Sequence, residues 1–184
     1  YELLDDGSLK GYKAKTKKAT TTPTAKAKAS KSKNKSSEKT ADKYVALTFD
    51  DGPSSFTNRL LDCLEANNSK ATFFMVGKEI DSFPDEVKRM ESLGCELGNH
   101  TYSHVDLTTL APEDMSAEIA GVDEDLVNLV GHSATVLRPP YGNINDSVRS
   151  TVGTPMILWS IDTLDWETQD ASQITEVLGD FSFY

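Results

Sequence analysis

The stretch Thr48-Phe49-Asp50-Asp51-Gly52-Pro53 decides how the chain is organised. It follows the apolar run at residues 44–47 and ends in Gly-Pro, a pattern typical of a buried strand that enters a turn. Side chains alternate along an extended chain, so the carboxylates of Asp50 and Asp51 should point in different directions. One of them could then hold a metal ion while the other moves a proton.

Strand-like and helix-like segments alternate along the rest of the chain. Short apolar runs predict strands at residues 71–76, 95–97, 135–137 and 156–159. Apolar spacing and start signals predict helices that begin near Thr57, Pro84, Pro112 and Ser147. The helix from Pro112 is the longest, and Gly131 should end it. This alternation is typical of βαβ units and predicts an α/β fold with a parallel sheet, either closed into a barrel or open.

The charge is divided unevenly between two parts of the chain. Residues 1–43 hold 12 Lys and five acidic residues, a net charge of +7, whereas residues 44–184 hold seven basic and 24 acidic residues, a net charge of −17. Residues 9–43 are mostly Lys, Thr, Ala and Ser, so we predict a disordered linker over 1–43 and a folded domain over 44–184. The acidic domain would repel phosphate backbones, which argues against nucleic acid as its substrate.

The cysteines and the hydropathy exclude further classes of protein. Cys63 and Cys95 are too few and too far apart for a disulfide framework or a zinc ribbon. Cys63 lies among leucines and is predicted to be a small core residue. No run approaches the roughly 18 apolar residues of a membrane span, so we expect no span in this chain.

Polar clusters follow four of the predicted strands at their carboxyl ends. They are Asp50-Asp51, His100 with His104, residues 138–142 and residues 162–166. In a (β/α) barrel the loops after the strands share one face, and active sites occur on that face. The four clusters therefore predict an active site there.

His100 and His104 are two of the three histidines in the chain. At a spacing of four, both imidazoles could contact one ion from a helical turn or from a tight loop. Two histidines and one carboxylate, with an open position for water, form a common catalytic zinc arrangement. A His-x-x-x-His pair alone is a weak signal. The third histidine, His132, lies beside a helix-ending glycine and is predicted to be at the surface.

The last two clusters offer a functional and a structural interpretation each. Arg138 could be a surface charge at a strand end, or its guanidinium could pair with an Asp and fix its orientation. Pro139 and Pro140 would make the next turn rigid and present the backbone N–H of Tyr141 to a ligand oxygen. Asp165-Trp166 could equally be an acid at a strand end beside a core aromatic residue.

Taken together, these motifs resemble those of the polysaccharide deacetylases, the NodB homology domain enzymes of carbohydrate esterase family four. The matching segments are residues 48–53, 100–104, 138–142 and 162–166, in the order of the family. The resemblance covers about residues 44–178. It implies a distorted (β/α) barrel of the NodB type and metal-dependent hydrolysis of acetyl groups from sugars.

The resemblance also implies a metal site and a base. Asp51, His100 and His104 match the metal triad of the family, which would take a divalent cation, zinc by preference and cobalt as an alternative. Asp50 matches the catalytic base, and Arg138 matches the residue that orients this base.

The remaining matches concern the oxyanion and the leaving group. Tyr141 matches the residue whose backbone N–H helps to hold the oxyanion, and Asp165-Trp166 matches the motif that supports a later catalytic His. That His belongs to a Leu-x-His motif, which residues 177–184 do not contain. We therefore expect a sequence truncated at its C-terminus, with an incomplete barrel, an open edge strand and no general acid. Such a chain could bind metal and show little turnover.

The predicted function is that of a metal-dependent polysaccharide deacetylase. Peptidoglycan N-acetylglucosamine is the first choice of substrate, because a Lys/Ser/Thr linker suits a domain held out in an anionic wall, and an extracellular or cell-surface location follows. Chitin oligosaccharides and acetylated xylan are alternatives. Two other classes remain open: a catalytically weak glycan-binding module, and an amidohydrolase that acts on a non-sugar amide.

Overall fold

The computed structural model describes residues 45–179, and the linker predicted at 1–43 lies outside them. Its centre is a parallel sheet of four strands in the order β1-β2-β3-β4. The strands are Thr48–Gly52 (β1), Thr72–Met75 (β2), Glu96–Asn99 (β3) and Val136–Leu137 (β4). The predicted α/β class with a parallel sheet is confirmed, and within residues 45–179 the four strands form an open sheet.

Helices connect and follow these strands. Within residues 45–179 they are Thr57–Ala66 (α1), Gly77–Ser82 (α2), Pro84–Ser92 (α3), Pro112–Val130 (α4), Asp146–Thr151 (α5), Asp165–Thr168 (α6) and Ala171–Gly179 (α7). Pro84 and Pro112 begin their helices as predicted, since a proline at the first helical position loses no hydrogen bond. Gly131 ends α4 with a φ of 88°, a left-handed conformation that glycine adopts without steric cost. No helix among the described residues is long and apolar enough to cross a membrane.

The long helix α4 contributes to two apolar clusters. Val122 and Leu126 are fully buried with residues of α1, α3, β2 and β3, which form the larger cluster. Met115, one turn into α4, is fully buried in a second cluster with Leu137 and Val148. The predicted apolar stripe is therefore the side of α4 that faces the core.

The first strand begins later than the sequence predicts. The apolar run before it was expected to be buried, but Val45 and Leu47 are 54% and 37% exposed. Because β1 is an edge strand of the described sheet, β2 is its single neighbour there, and the ladder between the two begins at Thr48.

The prediction that Cys63 is a core residue is wrong, because this side chain is exposed. Leu61 and Leu64 face the core from α1. Cys63 lies two positions after Leu61, and residues two apart in a helix point to different sides. The helical period places this cysteine on the outer side of α1.

The prediction of a fifth strand at residues 156–159 is also wrong, because this segment forms no strand. Met156 forms a single bridge with Leu137 of β4. The carbonyl groups of Ile157 and Leu158 instead accept hydrogen bonds from Nε and Nη2 of Arg138, at 3.1 and 3.0 Å. Beyond this bridge, hydrogen bonds from the Arg138 side chain take the place of a strand ladder, and they hold the buried guanidinium.

The start of α5 offers a test of local stability. The side-chain oxygen of Asn145 accepts a hydrogen bond from the backbone N–H of Val148 at 2.9 Å and so caps this helix. Asn145→Ala removes this acceptor and is expected to lower the free energy of unfolding by about 1 kcal/mol. Asn145→Asp keeps a capping oxygen and should stay within about 0.5 kcal/mol of the wild type. Urea unfolding measures both, and equal losses in the two variants would contradict the assignment of the cap.

Candidate active site and metal centre

A bulge at the end of β1 turns two neighbouring carboxylates apart. Asp50 is in register with Phe74 of β2 and Gly52 with Met75, so Asp51 is the extra residue. Its φ is 65°, in the left-handed region that Asp tolerates better than most residues. Bulges commonly redirect side chains beside active sites. The two carboxylates diverge as predicted, but the bulge rather than simple strand alternation is the cause.

Asp51, His100 and His104 converge on one point. Oδ1 of Asp51 lies 3.3 Å from Nε2 of His100 and 3.2 Å from Nε2 of His104. One ligand atom from each residue lies within 4.8 Å of the other two. Two imidazole nitrogens and one carboxylate oxygen are a donor set that suits a catalytic zinc ion. The residues predicted as ligands therefore fit a divalent cation, and their role as ligands stays a prediction.

The ring of His100 is held in the tautomer that can bind a metal. Its Nδ1 lies 2.6 Å from the carbonyl oxygen of Arg138. A carbonyl oxygen only accepts hydrogen bonds, so Nδ1 must carry the proton and donate. In the neutral ring Nε2 then has a free lone pair, and this atom faces Asp51.

The two histidines lie on a tight loop rather than on a helical turn. Thr101 and His104 have φ values of 66° and 56°, both left-handed. These two residues turn the chain sharply, and the imidazole centroids come within 5.0 Å of each other. Of the two alternatives that the spacing left open, the structure therefore shows the loop.

Arg138 and Asp50 form a second unit beside this cluster. Nη1 of Arg138 donates to Oδ1 of Asp50 at 2.6 Å and also to Oγ1 of Thr48 at 3.0 Å. The guanidinium lies over the ring of Phe74 at 4.1 Å, and the side chain is 4% exposed. The predicted contact between Arg138 and an Asp is present, and it fixes the direction of the Asp50 carboxylate.

The adjacent carboxylates Asp50 and Asp51 have different proton affinities. Burial raises the pKa of Asp50, although Arg138 and His100 act in the opposite direction. The imidazole of His100 beside this carboxylate lowers the pKa of Asp51. A carboxylate that stays ionised suits a metal ligand, and one with a raised pKa suits a proton acceptor.

Tyr141 lies at the edge of the histidine pair. It belongs to the short 3-10 segment Pro140–Gly142 and has a φ of 61°. The residue is 65% exposed, and its ring meets the ring of His104 edge to face, with centroids 5.0 Å apart. Within residues 45–179 its backbone N–H engages no acceptor, so it is available for a ligand oxygen, as its predicted role requires.

Asp165 and Trp166 are not brought into the cluster in the part of the chain that the structure describes. The Asp165 carboxylate accepts a hydrogen bond from Oγ1 of Thr163 at 3.0 Å. Trp166 is 68% exposed, so the alternative of a core aromatic residue is wrong. The predicted role of this pair in supporting a later His stays a prediction. His132 lies at the surface as predicted, with its Nε2 3.2 Å from Glu91.

Sequence reasoning missed residues that support the histidine loop. Asn99 is buried, and its side-chain oxygen accepts a hydrogen bond from the N–H of Thr101 at 2.9 Å. Glu118 accepts from both the N–H and the hydroxyl of Ser103. Asn99 could have been found from the sequence, because it directly precedes His100. Glu118 gave no signal, because it looked like one more acid on the flank of a surface helix.

The sequence of this chain matches the model of a known protein family. The model of the polysaccharide deacetylase family matches residues 37–154. The chain belongs to the polysaccharide deacetylase family. The matched segment contains the bulge, the cluster of Asp51, His100 and His104, and the Arg138–Asp50 pair. The candidate site of this deacetylase-family chain therefore lies within the part that matches the family.

Relatives of this polysaccharide deacetylase chain are known from bacteria and fungi. A peptidoglycan-N-acetylglucosamine deacetylase of Bacillus cereus is 44% identical over 140 residues, which are 73% of this chain and 51% of that protein. A chitin deacetylase of Pestalotiopsis sp is 41% identical over 131 residues, covering 68% and 44%. The structure of peptidoglycan deacetylase PdaC from Bacillus subtilis matches with a TM-score of 0.71 and 37% identity, covering 73% of this chain and 67% of that one. The chain spans about half the length of these two sequence relatives.

Proposed function

We propose that this deacetylase-family chain hydrolyses acetyl groups from the N-acetylated sugars of a polysaccharide, with peptidoglycan N-acetylglucosamine as the favoured substrate. The observation that carries the proposal is the convergence of Asp51, His100 and His104 beside the Asp50–Arg138 pair. The peptidoglycan activity named for the Bacillus cereus relative supports this choice of sugar. The chemistry is the addition of water to an acetamide, which yields acetate and a free amine.

The metal would be a divalent cation held by Asp51, His100 and His104, zinc by preference with cobalt as an alternative. Bound there, it would supply Lewis acidity toward water and the acetyl carbonyl. The donor set of two imidazoles and one carboxylate is the support for zinc.

The protein's own groups would handle the proton and the developing charge. Asp50, oriented by Arg138, would accept the proton of the attacking water, and its raised pKa suits that step. The free backbone N–H of Tyr141 would donate to the oxyanion, where one donor is worth about 3–4 kcal/mol. His132 is not proposed as a proton donor, because its imidazole is paired with Glu91.

We also propose an extracellular or cell-surface location. The support is the strongly basic composition of residues 1–43, which suits an anionic wall, together with a relative that acts on peptidoglycan. Chitin is the second candidate substrate, because a chitin deacetylase is almost as similar in sequence.

Acetate release tests the proposal. The purified protein is assayed on N-acetylglucosamine oligomers, peptidoglycan and acetylated xylan, with zinc present and again after chelation. We expect release from peptidoglycan or the oligomers that chelation stops and zinc restores. Glycan binding without acetate release would favour the binding module instead. Release from small non-sugar amides alone would favour the amidohydrolase.

A further inference from the structure

Tyr102, which lies between the two clustered histidines in sequence, is inserted between α2 and α4. Gly77 at the start of α2 and Gly121 within α4 both face its ring. A Cβ atom added at Gly121 would lie 2.9 Å from Cδ2 of the ring, below the 3.0 Å that real Cβ contacts essentially never show, and one added at Gly77 would overlap the ring. The two glycines therefore form a socket that admits the tyrosine ring in this one place.

Hydrogen bonds hold Tyr102 in this glycine socket. Its hydroxyl donates to Oδ2 of Asp81 in α2 at 3.0 Å. Its backbone N–H donates to the carbonyl of Glu118 in α4, and its own carbonyl accepts from the N–H of Lys78 in α2. Both the ring and the backbone of this residue are thus fixed by the same two helices.

The side chain of Glu118 fixes the next residue of the loop. Its Oε2 accepts from the N–H of Ser103 at 2.8 Å, and its Oε1 accepts from the Ser103 hydroxyl at 2.7 Å. Ser103 directly precedes His104, so both carboxylate oxygens of Glu118 act on the backbone that carries this histidine.

The two histidines differ in how they are anchored. The ring of His100 is 4% exposed and is held by the carbonyl of Arg138. The side chain of His104 is 30% exposed, and the residue itself has a left-handed φ of 56°. The direction of His104 therefore depends on the backbone of residues 101–103.

We propose that Tyr102 in its glycine socket and Glu118 are positioning residues, which set the direction of His104 and thereby the affinity of the site for a divalent cation. Neither residue belongs to the three that would bind the metal. The inference rests on the metal site of the proposed function. Partners outside the ligand set typically change metal affinity by about 10–100-fold.

The test measures zinc affinity by competition with a chelator, and coordination by the visible absorption spectrum of the Co²⁺-loaded protein. Gly121→Ala is expected to weaken zinc binding about 10–100-fold and to change the cobalt spectrum, because the added methyl displaces the Tyr102 ring. Gly153→Ala is the matched control, since a Cβ atom there meets nothing within 4 Å. It should change the affinity less than about twofold.

A double variant separates the socket from general damage to α4. In a Tyr102→Ala background there is no ring to displace, so adding Gly121→Ala should change zinc affinity less than about twofold. Glu118→Ala is expected to weaken zinc binding about 10–100-fold. Glu118→Gln keeps one acceptor for Ser103, so its zinc affinity should lie between those of Glu118→Ala and the wild type.

The outcomes distinguish this inference from the proposed function. If the wild-type protein binds no zinc, the proposed metal site fails. If the wild type binds zinc, and Gly121→Ala and Glu118→Ala keep wild-type affinity and cobalt spectra, the positioning role is overturned. If Gly121→Ala does not fold, the zinc affinity of Glu118→Ala tests the positioning role. Glu118 is only half-buried, so this variant is expected to fold.

Discussion

Asp50→Asn is expected to lower kcat for acetate release by about 10²–10⁴-fold and to leave zinc affinity close to that of the wild type. Asn has the size of Asp and keeps an oxygen that can accept the hydrogen bond from Arg138. It cannot take a proton from water. Asp50 also lies outside the three-residue cluster that would bind the metal, so the loss should fall on the chemical step.

The assay compares acetate release and zinc binding in the same preparations. Asp62→Asn is the matched control, because Asp62 also lies 2.6 Å from an arginine, Arg89, but on the exposed side of α1. This control should keep full activity. An Asp50→Asn variant with nearly wild-type turnover would refute the role of Asp50 as base, and loss of its zinc binding would place Asp50 in the metal site.

Arg138→Met is expected to lower the free energy of unfolding by about 3–5 kcal/mol, because it removes the buried partner of a partly buried ion pair. The guanidinium donates to Asp50, to Thr48 and to the carbonyls of Ile157 and Leu158. Met fills a similar volume but leaves these acceptors without a donor. Since Asp50 is 31% exposed and water can reach it, the lower end of the range is the better expectation.

Arg89→Met is the matched control for this change. Arg89 lies 2.6 Å from Asp62 and 3.2 Å from Glu65, but its carboxylate partners are mostly exposed. Exposed ion pairs contribute at most about 1 kcal/mol. The free energy of unfolding should therefore fall far less in Arg89→Met than in Arg138→Met. Urea unfolding of both variants measures the difference. Equal losses would show that the burial of Arg138 adds nothing to its contribution.

Much of the fold and of the site follows from local signals in the sequence. Pro112 and Gly131 mark the ends of α4 because one lacks an N–H and the other accepts a left-handed φ. The candidate ligands could be found because Asp51 lies at the carboxyl end of β1 and the two histidines lie in the loop that follows β3. The carboxyl ends of parallel strands lie at one edge of the sheet, so residues 51 and 100–104 meet there although they are far apart in sequence.

The remaining features depend on tertiary contacts that spacing does not reveal. The bulge at Asp51 arises from the register of β1 against β2. Residues 156–159 have the composition of a strand, but the carbonyls of Ile157 and Leu158 accept hydrogen bonds from Arg138. Glu118 resembles a solvated acid until the loop folds against α4 and Ser103 reaches it. In each case a partner distant in sequence overrides the local pattern.

Zinc binding by the metal-free protein tests whether Asp51, His100 and His104 hold a divalent cation. Titration of the metal-free protein should show a single zinc ion per chain, and His104→Ala should weaken binding by more than the roughly 10–100-fold that loss of an outer partner costs. His132→Ala is the control, because that histidine also pairs with a carboxylate but lies at the surface. A wild-type protein that binds no zinc, or a His104→Ala variant that binds it as tightly as His132→Ala, would show that these three residues do not form a zinc site.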